Sequence, residues 1–474
     1  GLIVYSKGNI GVTETQVSDN GQITTTPGVI LDNSAGSGNV TVAGTPSWVR
    51  YFGNNGGPGM TINSNGNVSV SNLDINDNKS NGLTVDAQVT ILLDNVNVIN
   101  NWGYGVKLDN IDSTKLATVI VRSAGGKSIN DNGDYGLWVL SNGAITVTNI
   151  EVCRNGDFGV WLDNSSGTTG GVTINNSIYR PYYENEGFGL QIDSRGAVSV
   201  NLVDSYHSLG FNGDIDNDNP LGTATPAVTI TNSWFNNSQT GSGMTINSKG
   251  AVTLTNISAY DNQGGHGLYV NNGAAGTKGN VTLTGPASDS VSNFGRNATF
   301  GLQIISNGAV AIKWINVYEN QSFGAKIDND EAPTLMAVSI TGANFDNNAR
   351  SVTGDGLNVA SRGNITLLEV FASGNGWGDS GVTGNGMILD NCALAGGTLC
   401  TGTGAITLTN TGAWGNNGDG ISAVSYGAIK LLDIGSGWNA GNGGTFDNVF
   451  SINGSSGPVA SKAGITISLP SNYS

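Results

Sequence analysis

Apolar and polar residues alternate with period two in short runs along the whole chain, and the runs recur in a fixed order. Gly189-Leu190-Gln191-Ile192-Asp193-Ser194-Arg195-Gly196-Ala197-Val198-Ser199-Val200 shows it: glycine, two apolar residues spaced by a polar one, Ser-x-Gly, then a second alternating run. Ser-x-Gly returns at Ser6, Ser64, Ser141, Ser248, Ser306, Ser361 and Ser425 with the same flanks. Period two means strands, and recurrence every few tens of residues means an array of like units. The turn glycine is expected to supply backbone freedom at a tight corner.

Counted from the glycine that opens each unit, coils start at Gly1, Gly28, Gly59, Gly82, Gly105, Gly136, Gly159, Gly189, Gly213, Gly243, Gly267, Gly301, Gly324, Gly356, Gly386 and Gly420, with a degenerate terminal coil over 446–474. Two kinds alternate. Coils with Ser-x-Gly usually run 23 or 24 residues, as from Gly59 to Gly82. Coils with apolar-Asp-Asn in its place (Leu31-Asp32-Asn33, Leu108-Asp109-Asn110, Leu162-Asp163-Asn164, Ile327-Asp328-Asn329, Leu389-Asp390-Asn391) carry a polar insert and run about 30 to 34 residues. A coil of three short strands is one turn of a parallel β-helix. The prediction is therefore an all-β, right-handed parallel β-helix of about 17 coils, a single solenoid over 1–474, roughly 80 Å long at ~4.8 Å per coil. Leu2, Met60, Leu137, Leu190 and Met244 form one inward column, and Val4, Ile62, Val139, Ile192 and Ile246 the next. Two coils break the scheme: Ala87 stands in the Ser/Asn slot, and Asp214 follows Gly213 where an apolar residue belongs. An aromatic often precedes the opening glycine (Tyr104, Tyr135, Phe158, Phe188, Phe300, Phe323), which reads as a packing stack at one corner rather than a sugar platform.

The pattern resembles the right-handed parallel β-helix superfamily, which includes pectate lyases, polygalacturonases, phage tailspikes and bacterial surface proteins. In its Gly-, Asn- and Thr-rich character it is most similar to large secreted surface proteins of the adhesin or filament kind. The resemblance implies the fold and leaves the activity open.

Composition narrows the function. The net charge of −16 leaves no basic stripe to displace phosphate counterions, so nucleic acid is not an expected partner. No apolar run approaches the ~18 residues of a membrane span. The opening Gly1-Leu2-Ile3-Val4 already belongs to a coil, so a processed form or a segment of a longer chain is expected. Cys392 and Cys400 lie in one loop, where a disulfide would fit an oxidising, extracellular location; Cys153 has no evident partner.

Candidate chemistry is sparse. Polygalacturonases carry Asp pairs, Gly-His-Gly and Arg-x-Lys. Gly265-His266-Gly267 matches one of these, but His266 falls in the aromatic column and no Arg-x-Lys occurs. Arg195 and Arg362 share the turn slot of Lys7 and Lys249, a property of the repeat rather than of a lyase site. Asp214, Asp216 and Asp218 are the densest acids and are expected in a polar loop. With Asp328 and Asp330 they are weak calcium candidates, because the first loop begins like an EF-hand but has Asn219 and Thr225 where its glycine and glutamate belong. No cofactor other than calcium is expected. The expected role is a non-enzymatic extracellular filament or sheath subunit, stacking end to end with copies of itself through the strand-like ends (Leu2 and Val4; Ile465 and Ile467). The alternatives are an adhesin or glycan-binding rod, marked by one exposed aromatic-rich groove, and a polysaccharide lyase or hydrolase.

Overall fold

The computed structural model describes all residues except 22–24, 46–49, 114–116, 168–169, 177–181, 184, 219–224, 274–278, 288–289, 333, 379–380, 392–403, 426, 441–449, 453–464 and 469–474. Cys392 and Cys400 lie outside the described residues. So does Phe446, the expected start of the last coil. The chain falls into two compact units, 1–234 and 235–474.

Among the described residues the strands of each unit pair in parallel, an isolated antiparallel bridge between Ala287 and Ser290 apart. In the first unit, strands such as Met60–Ser64, Leu83–Ala87, Val106–Asn110, Leu137–Ser141, Val160–Asp163, Leu190–Asp193 and Gly213–Asn217 stack in register on one face, called here the opening face. In the second, Met244–Ser248, Leu268–Asn272, Leu302–Ser306, Ala325–Asn329, Leu357–Ser361, Met387–Asp390 and Ile421–Val424 do the same. The chain is a parallel β-helix. Its connections take the right-handed sense of nearly all parallel crossovers.

The alternation seen in the sequence becomes burial directly. Met60, Ile62, Leu137, Val139, Leu190, Ile192, Met244 and Ile246 are fully buried, whereas Leu2 and Val4, on the first strand, are half-buried. Ile465 and Ile467 lie on a strand paired with Ile429–Gly437.

Nine-residue strands such as Val68–Asn76 and Ile365–Ser373 turn a corner at their fifth residue, which sits in the left-handed region: Asn72 (φ 54°), Asn95 (58°), Asn410 (45°), Glu369 (56°) and Asp433 (56°). The corner inserts one step into the alternation, so two successive residues stay unburied and the inward phase resumes on a third face.

A second left-handed corner ends the third face at Asp77, Asn100, Asp131, Arg154, Arg296, Glu319 and Asn347. The residue after each is a buried asparagine. In the first unit Asn55, Asn78, Asn101, Asn132, Asn155 and Asn185 form a continuous ladder. The backbone N–H and Nδ2 of each donate to Oδ1 of the next, at 2.8–3.2 Å. In the second unit the ladder runs Asn262, Asn297, Asn320, Asn348, Asn375, Asn416 and Asn439. The second Nδ2 hydrogen goes to a strand carbonyl, as from Asn320 to Phe294 O at 3.0 Å, so an interior amide uses all of its polar capacity.

The Ser/Asn alternation has a different cause. Serine closes its own turn, Ser64 Oγ accepting from Gly66 N at 3.0 Å. Asparagine reaches back to the preceding turn, Asn164 Nδ2 donating to Gly143 O at 3.0 Å and Asn329 Nδ2 to Gly308 O at 2.6 Å.

Two expectations are corrected. The recurrent glycines are wanted for space, not for backbone freedom. A Cβ at Gly105 or Gly301 would lie 2.6 or 2.5 Å from the ladder amides of Asn132 and Asn320, and one at Gly66 would lie 2.1 Å from Gly38 O. None of the three has a positive φ. The coil expected to open at Gly213 opens one residue earlier. Leu190 pairs with Gly213, and Leu190 N donates to Asn212 O. Asn212 therefore holds the opening position and Phe211 the aromatic one, while Asp214 and Asp216 fall in outward strand slots rather than a polar loop.

Asn320→Ala removes the partner of the Asn297 backbone N–H, of one of its Nδ2 hydrogens and of the Phe294 carbonyl, all buried. At about 1–3 kcal/mol for such a group, the variant is expected to lose about 3 kcal/mol or more in urea unfolding. Removal of the exposed Asn65 side chain should cost under about 0.5 kcal/mol.

Candidate functional site

Two surfaces carry chemistry, one in each unit. The first is on the opening face of 1–234, where register lines up Lys107, Trp138, Trp161, Gln191 and Asp214 in one outward column and Asp163, Asp193 and Asp216 in the next. The two indoles stack 5.4 Å apart with 8° between planes, and Lys107 Nζ sits 4.4 Å from the Trp138 ring centre. Stacked along the column in this way, the rings are fillers rather than an open platform. Trp161 Nε1 and Gln191 Nε2 both donate to Asp193 Oδ2, at 2.7 and 3.1 Å.

Asp214, largely buried and beside Asp193 and Asp216, has its pKa pushed up to about 6, first by burial and then by those two charges. Burial also raises Asp193, against the lowering effect of its bond from Trp161. Asp218 lies past the strand, its N–H donating to Asp216 Oδ1 at 3.1 Å. In the second unit burial, and then the neighbouring Asp328, push Asp330 up to about 6. Among the described residues no group of three His, Cys, Asp or Glu side chains converges as a metal site would.

The aromatic corner is a packing stack, as expected from the sequence. Tyr104, Tyr135, Phe158, Phe188 and Phe211 follow one another at 4.6–5.6 Å in the first unit. His266, Phe300 and Phe323 do so at 4.8 and 4.9 Å in the second, within 3° of parallel. His266 is held between Ser242 Oγ and Thr245 Oγ1 at 3.0 and 3.1 Å, and burial pushes its pKa down to about 4. It is a neutral member of the stack near pH 7, so the Gly-His-Gly resemblance does not extend to an exposed acid–base group. Arg195 and Arg362 donate to backbone carbonyls of the preceding insert, at Gly167 and Ala332. Cys153 is a buried free thiol whose pKa burial pushes up to about 12.

The second surface was not anticipated. On the third face of the second unit, Ile365–Ser373, Ile406–Trp414 and Ile429–Gly437 pair so that Phe371, Gly412 and Gly435 align, and Ser373, Trp414 and Gly437 beside them. The Trp414 indole lies down across two coils. A Cβ at Gly412 would be 2.0 Å from Cη2, one at Gly435 2.6 Å from Cζ2, and one at Gly437 3.7 Å from Cδ1. Phe371 lies beside it, centroid 5.9 Å away and 24° from parallel. Trp377, 60% exposed, donates its indole N–H to Gly415 O, next to Trp414. Trp438, which follows Gly437 in a left-handed corner, is 82% exposed. The signal in the sequence was glycine in outward strand slots that other coils fill with side chains such as Asp74, Asn97, Asn316 and Asn344, flanked by Trp377, Trp414 and Trp438.

No family model and no curated protein matches the chain. Solved structures similar to it include the A-module of Azotobacter vinelandii mannuronan C-5 epimerase AlgE4, at 12% identity over 93% of this chain and 90% of that one, TM-score 0.26. The A-module of the epimerase AlgE6 from the same organism matches at 11% identity over 99% and 91%, TM-score 0.19. The β-helix assignment rests on the strand register itself.

In the native state Asp214 takes up its proton near pH 6, against 3.8 unfolded, so its ionisation opposes folding at neutral pH. Asp214→Asn is expected to raise stability at pH 7.5 by about 1–3 kcal/mol, a gain that falls as pH drops from about 6 and disappears below the unfolded value of 3.8. His266 has the opposite sign. It is neutral when folded and charged when unfolded between pH 6.5 and about 4, so stability falls as pH drops through that window. Urea unfolding of His266→Phe, which keeps a ring in the stack, should show a smaller loss between pH 7 and pH 4.5 than the unsubstituted protein.

Proposed function

We propose that this parallel β-helix is a polysaccharide-binding protein of the extracellular, adhesin-like kind. The observation that carries the reading is the Trp414 indole laid flat on Gly412 and Gly435, with Phe371 beside it and Trp377 and Trp438 standing exposed. Large aromatic side chains clustered in one exposed patch, unlike single ones, mark a contact surface. A ring whose one face rests on the sheet offers its other face to the C–H groups of a sugar, while the ring edges leave hydroxyls free for water or side chains. This aromatic surface also favours glycan binding over the filament reading, which stands on the strand-like terminal segments alone.

A polysaccharide hydrolase is the second reading, favoured by Asp214. A carboxyl with a pKa near 6 beside two further carboxyls, Asp193 and Asp216, is the arrangement from which a general acid and a general base are drawn. It concerns the first unit only and is compatible with binding on the second.

Affinity electrophoresis through gels containing soluble polysaccharides tests the main reading. Retardation by at least one polymer is expected, with Trp414→Ala and Trp438→Ala each weakening it about tenfold, or ~1.4 kcal/mol. Unchanged mobility in every polymer, by a protein with an intact β-sheet circular dichroism spectrum, would sink it.

A further inference from the structure

Resting on that reading, we infer that the polymer held on the third face is an uncharged, flat ribbon of equatorially linked hexoses, of the cellulose, chitin or mannan class, and not a polyuronate. The first ground is shape. Trp414 can lie down only because the outward slots at Gly412 and Gly435 are empty, and Phe371, in register with Gly412 one coil earlier, is only 24° from parallel to it. The aromatic surface therefore continues across three successive coils, about 10 Å between the outer two strands. An extended chain whose rings present axial C–H groups on a flat face matches such a strip. Helical or strongly buckled chains with axial linkages touch it at one ring only, and the exclusion of polyuronates rests on charge.

The second ground is charge. The strands that carry Phe371 and Trp414's floor also carry Glu369 and Asp433 at their corners, and Asp346 aligns with Ser373 in the Trp414 column. Lys430 is the one cation on these three strands. With a chain charge of −16, a polyuronate would bring its carboxylates against a surface of the same sign. An uncharged polymer meets no such penalty. The carboxylates can then accept hydrogen bonds from its hydroxyls, which orients the chain on the strip.

Pull-down on insoluble cellulose, chitin and mannan, alongside affinity electrophoresis in hydroxyethylcellulose, glucomannan, alginate and polygalacturonate, tests the assignment. At least one neutral ribbon should bind tenfold or more tighter than either polyuronate at low salt. Gly435→Val, which props the indole off the sheet without removing it, should lose that binding tenfold while the circular dichroism spectrum is kept. The double variant E369Q/D433N should gain affinity for alginate. Tighter binding to a polyuronate, lost in Trp414→Ala, would overturn the ribbon assignment and leave polysaccharide binding standing. Failure to bind any polymer would remove both. A mass in solution that falls from dimer to monomer on Trp438→Ser, with no glycan bound, would give the face to a second copy of the chain and overturn the assignment.

Discussion

The asparagine ladder is the constraint on which each unit depends. A coil wound around an apolar core must turn three corners, and each corner takes backbone N–H and C=O groups out of strand register. At the corner closing the third face, one side chain per coil replaces the missing partners. Its carbonyl accepts two hydrogens from the coil before and its amide gives one hydrogen forward and one to a strand carbonyl. Nothing but an amide offers two donors and a doubly accepting oxygen at that length. Aspartate would lose both donors and bury a charge. Glutamine would need an extra methylene where the opening glycine already touches the amide. The coil-opening glycine follows from the ladder: the space that a Cβ would take at Gly301 is the space of the Asn320 side chain.

This ordering explains what could be read from the sequence and what could not. The inward columns were legible because period two persists on the opening face of each unit, from Met60 and Ile62 to Leu190 and Ile192 in the first and from Met244 and Ile246 to Leu357 and Val359 in the second. The ladder was not, because its members differ in nothing from the many surface asparagines beside them. In Asn100-Asn101 the first residue takes the left-handed corner and the second the buried rung. The misplaced coil at Gly213 has the same root. With Asn212 in the opening position and glycine in the next, inward slot, the pattern looks shifted by one, and Asp214 looks like a broken core position when it is an ordinary outward one. Strand register corrects this at once, and with it the view of Asp214 and Asp216 as loop acids.

The aromatic residues divide along similar lines. Those before the opening glycine recur once per coil, and recurrence marked them as structural; the Tyr104-to-Phe211 and His266-to-Phe323 stacks agree. Even the outward Trp138–Trp161 pair is spent within its column, between Lys107 and Gln191. Trp377, Trp414 and Trp438 break the repeat instead of following it, and for that reason no column exposed them.

A solenoid makes such departures informative, because the repeat itself defines what the fold requires. A polar side chain such as Asn97, Asn316 or Asn344 in an outward slot is enough to cover a parallel sheet. Replacing it by glycine at 412, 435 and 437 weakens strand propensity and strips the sheet of side-chain cover. One indole restores that cover at Gly412 and Gly435, a packing role that aromatic residues take over sheet glycines elsewhere. Packing alone does not account for the neighbours: Trp438 is exposed over most of its surface and Trp377 over more than half. Cover would be achieved by Trp414 alone. The additional exposed rings, gathered on the same few coils, are what a surface selected for contact with something outside the chain would carry.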